Sequence, residues 1–357
     1  MWIRERMLFI CISLIIVTLL LAGCLKGEQT KENEEDPSNN QIEENEDWES
    51  LNDEVDNDEQ EKHSGTVERE IYLIDANGFV VSQTFQLPVP ESKEVATQVL
   101  EYLVKDGPIT EILPNGFRAV LPEDTEVLSV NLQEDGTIII DFSNEFANYQ
   151  SEDERKILEA ITFTVTQFDS IDQVHLRMEG KELTEMPVNG TPIEGGYSRE
   201  KGINVTQSDT IDFLASDAVT MYYPTENDSE RYYVPITQYI RFDEESMFRQ
   251  IIEALMIGPG YDTNVMHVFH EDIILVEEPE LQDGVLELVF NDMILKDTEQ
   301  NIVSDEIMET LTRTLTEEKT VEAIRVKVEN SDVILNEAGE QYSEPVTKEY
   351  FTSKDHM

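Results

Sequence analysis

Cysteine is almost missing from this sequence. Only Cys11 and Cys24 occur, and Cys11 falls inside an N-terminal apolar run that reads as a secretion signal removed on export. The mature chain then has no second thiol to pair, which excludes a disulfide framework and a cysteine-based zinc site. Positive charge is scarce as well: 25 Lys and Arg stand against 77 Asp and Glu, a formal charge of −52 over 357 residues. Phosphate would be repelled, so nucleic acid and bare anionic lipid are excluded as partners of the folded part. The acidity is spread along the chain, which favours solubility in salty or alkaline surroundings over a dedicated cation site. No Gly-x-Ser-x-Gly elbow and no nucleophile with a paired base is present either.

What is present begins with the N-terminus. Arg4 and Arg6 supply a short basic start and Leu8 to Leu21 a nearly unbroken apolar run. The run stops at Leu21-Ala22-Gly23-Cys24, which resembles the bacterial lipobox, where the Cys thiol is acylated and the chain is cut immediately before it. An uncleaved transmembrane helix would need ~20 apolar residues, more than this run offers. Residues 1–23 are therefore read as a lipoprotein signal peptide and Cys24 as the lipidation site, with two or three acyl chains forming a stable anchor to membrane lipid. Residues 24–67 follow as the lipidated Cys and an acidic spacer. They hold too little apolar surface to offset the entropy of ordering, and like charges extend them. Asp56-Asn57-Asp58 has the look of a calcium loop but lacks its Gly and closing Glu, so no cation site is assigned.

After the spacer the chain repeats itself at an offset of about 150 residues. Gln98 to Leu103, ending in Gly107-Pro108, matches Gln250 to Leu255, ending in Gly258-Pro259. Each reads as an amphipathic helix closed by a left-handed Gly and stopped by Pro. Leu121 to Phe146 lies without gaps on Phe269 to Ile294. Asp135-Gly136 and Asp283-Gly284 there sit between β-type runs, predicting a hairpin with a type I′ turn in each copy. Ile157, Leu158, Ile161 and Val165 return as Ile307, Met308, Leu311 and Leu315, one buried helical stripe. Alternation then takes over at Val174, Leu176, Met178 and at Ile324, Val326, Val328, a strand covered on one face. Upstream hairpins are expected around Asp75-Ala76-Asn77-Gly78 and between Val219–Tyr223 and Tyr232–Ile240. The fold class expected is α+β, two tandem two-layer α/β domains of order β-β-α-β-β-α-β, spanning residues 68–202 and 213–353.

The lipobox, the acidic spacer and two copies bearing helix-Gly-Pro, Leu-Pro-Glu-Asp-Thr-Glu-Val-Leu-Ser-Val, Asp-Gly and Ile-Ile-Asp-Phe-Ser-Asn-Glu-Phe together resemble the GerM family of sporulation and germination lipoproteins, built on two GerMN domains. Copy two departs from the pattern, with Phe269-His270 in place of Leu121-Pro122 and Phe290-Asn291-Asp292 in place of Phe142-Ser143-Asn144. The resemblance implies a Gram-positive spore former and a place on the outer face of the mother-cell membrane. It implies docking to envelope proteins of the assembly linking mother cell and forespore, and kinship of fold with ring-building modules.

His267 and His270 could share a metal, but they fall in a loop and no third ligand is specified. Asp141 with Glu145, and Glu271 with Asp272, could pass for a glycan-hydrolysing pair, yet strand ends and turns use Asp and Glu structurally. Ser143-Asn144 and the row Thr162, Thr164, Thr166 with Thr312, Thr314, Thr316 lack a base, and the threonines read as a helix face. Tyr222, Tyr223, Tyr232 and Tyr233 could form a sugar-stacking or protein-contact surface, or fill the sheet. No catalytic residue, cofactor or metal is assigned. The reading is a non-enzymatic membrane-anchored scaffold. The alternative is an envelope lipoprotein that binds or hydrolyses peptidoglycan or a small ligand in a groove between the copies.

Overall fold

The computed structural model describes residues 65–90, 95–206, 216–228, 230–241, 246–260, 263–329, 331 and 333–352. Cys24, the spacer up to residue 64 and most of the stretch joining the copies lie outside them, and the last residues assigned to the spacer already belong to β1. Copy one runs β1 (Thr66–Ile74), β2 (Val80–Pro88), α1 (Val95–Glu101), β3 (Val127–Leu132), β4 (Thr137–Phe142), α2 (Glu154–Val165), β5 (Gln173–Met178) and β6 (Lys181–Glu182). Copy two runs β7 (Asp217–Asn227), β8 (Glu230–Ile240), α3 (Met247–Ile257), β9 (Glu280–Gln282), β10 (Val285–Phe290), β11 (Leu295–Asp297), β12 (Ile302–Val303), α4 (Asp305–Leu315), β13 (Ala323–Val328) and α5 (Glu349–Thr352). The order β-β-α-β-β-α-β recurs, with β6, β11, β12 and α5 as short additions.

The periodic patterns place the core. Ile157, Leu158, Ile161 and Val165 of α2 and Ile307, Met308, Leu311 and Leu315 of α4 are all buried, the stripe their spacing demands. Leu286, Leu288 and Phe290 on β10 and Ile324, Val326 and Val328 on β13 are buried while Arg325 and Lys327 point to solvent, the period of a strand with one covered face. β4 pairs in parallel with β5, and β10 with β13, each through the intervening helix.

Three features differ from the sequence reading. Among the described residues the strands of copy one form two sheets and those of copy two three: β1–β2 and β7–β8 are separate two-stranded ribbons beside β3-β4-β5-β6 and β13-β10-β9, and β11–β12 is a small sheet of its own. Among the described residues of copy one, Ile74 to Arg118 is the β-bridge by which the ribbon meets the later chain. Long two-stranded ribbons twist more strongly than wider sheets, so they leave the plane and pack on the helices, α2 on β1 and α4 on β7.

The Gly-Pro stop works as expected only in copy two, where Gly258 (φ 89) follows α3 and its N–H donates to Ala254 O. In copy one the helix ends at Glu101, and Gly107 (φ −81) instead opens a short 3-10 turn, Pro108–Glu111. There Leu103 carbonyl O accepts the N–H groups of Val120 and Leu121, pulling the chain out of the helix.

The two Asp-Gly turns also diverge. Asp283 (φ 50) and Gly284 (φ 77) are both left-handed, as a type I′ turn requires. In copy one only Gly136 (φ 80) is; Gln133 N–H bonds Thr137 O and Gly136 N–H bonds Gln133 O, a three-residue loop. The Asp135 carboxylate fixes it by accepting the Thr137 N–H.

Candidate functional site

The groups that looked chemical in the sequence are mostly engaged in holding backbone. Both Asp141 oxygens accept the Gly180 N–H, at 3.0 Å each. Ser143 Oγ accepts the Glu126 N–H at 3.1 Å, and a hydrogen bond from Ser143 holds the Glu145 carboxyl below its usual range. Asn144 N–H donates to Glu179. Glu271 and Asp272 are exposed, and the Asp272 carbonyl accepts from the Asn291 amide. His267 lies in an irregular loop against Met256 O and His270 is exposed nearby. Among the described residues no three His, Cys, Asp or Glu gather as a metal would need. None of these residues is brought to another in a nucleophile–base arrangement.

The threonine row has a specific use in each copy. Thr164 Oγ1 accepts the Tyr72 N–H at 3.1 Å, and Thr314 Oγ1 accepts the Tyr222 N–H at 3.0 Å. Each bond ties the second helix of a copy to its own ribbon. Thr166 and Thr316 donate back to the carbonyls of Thr162 and Thr312, one turn earlier, a local bond that Thr makes readily in helices.

The tyrosines are interior, and one of them, Tyr232, spans the copies. Tyr222, Tyr223, Tyr232 and Tyr233 are all less than 9% exposed. Tyr232 OH donates to Asp75 Oδ2 at 2.8 Å, from copy two's ribbon to the turn of copy one's, and its ring packs on Phe117 at 5.0 Å. Tyr222 OH donates to Glu317 at 2.9 Å. Burial pushes the Tyr222 phenol far above its usual range, and the Glu317 charge pushes it further.

Around Glu317 the copies are joined by a mixed polar and aromatic network. Arg199, beyond copy one's last strand, pairs with Glu317 at the end of α4. The same guanidinium donates to Thr166 Oγ1 at 2.8 Å and lies 4.5 Å over the Phe163 ring. Lys348, near the C-terminus of copy two, sits 2.7 Å from Glu70 on β1. Burial raises the Glu70 carboxyl, but the Lys348 charge and hydrogen bond outweigh it and leave the group below its ordinary value.

Asn204 is a further tie. Its side chain bonds Val80 through both N–H and C=O, at 2.8 and 2.7 Å, and donates to Pro235 O on β8 at 2.8 Å. Its backbone N–H donates to Glu159 on α2 at 3.1 Å. Thr237 closes the joint by exchanging bonds with the Ile203 backbone. The core of copy two even includes Val81 from β2.

Sequence reading did not single out Arg199, Asn204, Glu317 or Lys348. A pairing that joins residues 118 apart along the chain leaves no local pattern. The one available signal was the offset itself, since Thr164 and Tyr72 return as Thr314 and Tyr222.

Comparison with known proteins gives concordant results. The family model described as Germane, sporulation and spore germination, matches twice, at residues 70–184 and 220–334. The chain is 47% identical over 290 residues to the spore germination protein GerM of Bacillus subtilis (strain 168), covering 81% of this chain and 78% of that one. The structure of the tandem GerMN domains of the Bacillus subtilis sporulation protein GerM superposes with a TM-score of 0.73 at 47% identity, covering 79% of this chain and 97% of that one.

Proposed function

The chain belongs to the sporulation and spore germination family of tandem GerMN-domain proteins, and from that membership we propose that it serves sporulation as a non-enzymatic scaffold lipoprotein. The lipidated Cys24 would hold it on the outer face of the cytoplasmic membrane, the mother-cell membrane during sporulation. The acidic spacer would give reach, and the paired GerMN copies would dock envelope proteins.

The observation that carries the scaffold reading is the employment of the polar side chains. Asp141, Ser143, Thr164 and Thr314 hold backbone groups of their own copy, and Arg199, Glu317, Tyr232 and Asn204 hold one copy to the other. Among the described residues none of these groups is set beside a partner that would activate it for proton transfer. A pair of copies fastened to each other through the ion pair and hydrogen bonds of Arg199, Tyr232 and Asn204 suits contact instead.

Fractionation of sporulating cells tests the anchor. Cys24→Ala is expected to move the protein from the membrane to the soluble fraction and to abolish its localisation, whereas the native chain stays with membranes. A Cys24→Ala protein that remained membrane-bound would overturn the lipid-anchor reading. Asp141→Asn is expected to fold and function nearly as the native protein does. Loss of function by that variant with folding intact, or release of fragments from purified peptidoglycan by the native chain, would argue for chemistry.

A further inference from the structure

The two sheets end differently at the edge that precedes the central strand, and the difference is written in named residues. In copy two the strand is broken by Pro279, leaving only Glu280–Gln282 as β9. The stretch before the proline is sealed by Arg249 of α3, whose guanidinium donates to the carbonyls of Leu275 at 3.2 Å and Glu277 at 2.7 Å and pairs with Glu278 at 2.6 Å. A proline and a capping cation are two ordinary ways to stop a sheet edge from recruiting another strand.

Copy one has neither. Its edge strand β3 is six residues without Pro or a charge, and α1 carries Thr97 where the repeat of α3 carries Arg249. Among the described residues β3 is the outermost strand of its sheet, and no backbone hydrogen bond crosses its outer side. Gln133 N–H bonds inward to Thr137 O, and the antiparallel ladder alternates from there. Val130 and Leu132 therefore aim their N–H and C=O groups outward. A register shift between Val127 and Ser129 ends the regular ladder, so the open template is Ser129–Leu132. Leu128 is 46% exposed at its end, while Val130 and Leu132 turn their side chains toward the core.

The charge around this edge narrows what could pair with it. From Ala119 to Glu154 there is no Lys, Arg or His, while Glu123, Asp124, Glu126, Glu134, Asp135 and Asp141 flank the strand. The chain's own acidic spacer and a second copy of a −52 chain would both bring like charge to it. Unlike charge across a contact steers the encounter, and like charge opposes it.

We infer that β3 of copy one is a docking edge for an extended basic segment of another protein, which adds as a strand beside Ser129–Leu132 with apolar residues toward Val130 and Leu132 and cations toward the flanking carboxylates. The inference rests on the scaffold reading and names the surface and the chemistry of one partner.

The test is binding of a synthetic peptide of alternating Lys and Val to the full chain in detergent, with amide hydrogen exchange read at Val130 and Leu132. Binding is expected to slow exchange of both amides. A peptide of the same composition in block order, and one of alternating Glu and Val, should leave them unchanged. Val130→Pro removes an outward donor without removing a ladder bond and should weaken binding at least about tenfold. Leu128→Lys, which sets a cation on the exposed end, should weaken it independently should the proline variant fail to fold, and Leu281→Lys on copy two's edge should have no effect. Equal binding by the block peptide, unprotected amides, or native affinity in both copy-one variants would overturn the inference. Cross-linking in sporulating cells separates this failure from that of the scaffold reading. Capture of the same envelope proteins by native chain and Val130→Pro would sink the edge alone, and capture of none by either would sink the scaffold.

Discussion

At the scale of single residues, the most constrained side chain outside the joint is Glu154, the first residue of α2. It is 1% exposed and accepts from Tyr149 OH (2.8 Å), Val188 N–H (3.2 Å), Asn189 N–H (2.6 Å), and Thr191 N–H (2.9 Å) and Oγ1 (2.6 Å). Burial alone would raise its carboxyl, but the donors from Thr191 and Asn189 hold it below the usual value of 4.5. A folded pKa below the unfolded one means that this stabilisation is present above pH 4.5 and is lost as pH falls through the folded value. Glu154→Gln puts a donor where an acceptor is needed, and a loss of about 1–3 kcal/mol at neutral pH is expected from the stranded loop amides. Thermal unfolding of both proteins at neutral and acid pH checks this: the variant should lose the acid-dependent part of the native profile. An unchanged melting temperature at neutral pH would refute the clamp. Nothing in the sequence set this carboxylate apart, because at the matching place copy two has Ser304.

At the scale of elements, helix and strand periods were legible because they depend on neighbours a few positions away. The stripes of α2 and α4 and the alternation of β5 and β13 follow directly from them. Where an element stopped was less legible. The Gly-Pro pair caps α3 but stands well past the end of α1, since backbone bonds from Val120 and Leu121 to Leu103 override the local signal. The tie between ribbon and helix gives a paired prediction. Thr164→Val and Thr314→Val keep the shape and remove the acceptor, leaving the buried Tyr72 and Tyr222 amides unbonded. Each is expected to cost about 1–3 kcal/mol, read as a lower urea midpoint at unchanged slope. If either valine proved as stable as threonine, the hydroxyl would not be what fastens that ribbon.

At the scale of the whole molecule, the joint carries the most testable electrostatics. Glu159 on α2 is buried beneath Asn204, and burial pushes its carboxyl up to about 7, with the Asn204 N–H and the Arg155 and Lys156 charges opposing the shift. The folded state thus prefers the protonated acid. Its contribution is complete below the unfolded value of 4.5 and is lost as pH rises through about 7. Glu159→Gln should remove that slope, so that melting temperatures of native and variant chains diverge between pH 5 and pH 8; parallel curves would contradict it. The opposite signs of Glu154 and Glu159 predict greatest stability between their two transitions.

The duplication, the α+β class, the buried stripes and the near absence of thiols and cations were determined by the sequence alone, because each is a property of composition or of short-range repetition. The division of each copy's strands among separate sheets, the seating of Tyr232 inside the joint and the pairing of Arg199 with Glu317 were decided only by tertiary structure. Those contacts join residues remote in the chain, and which of two equivalent surfaces turns inward depends on the packing of the whole body, to which no local pattern is bound.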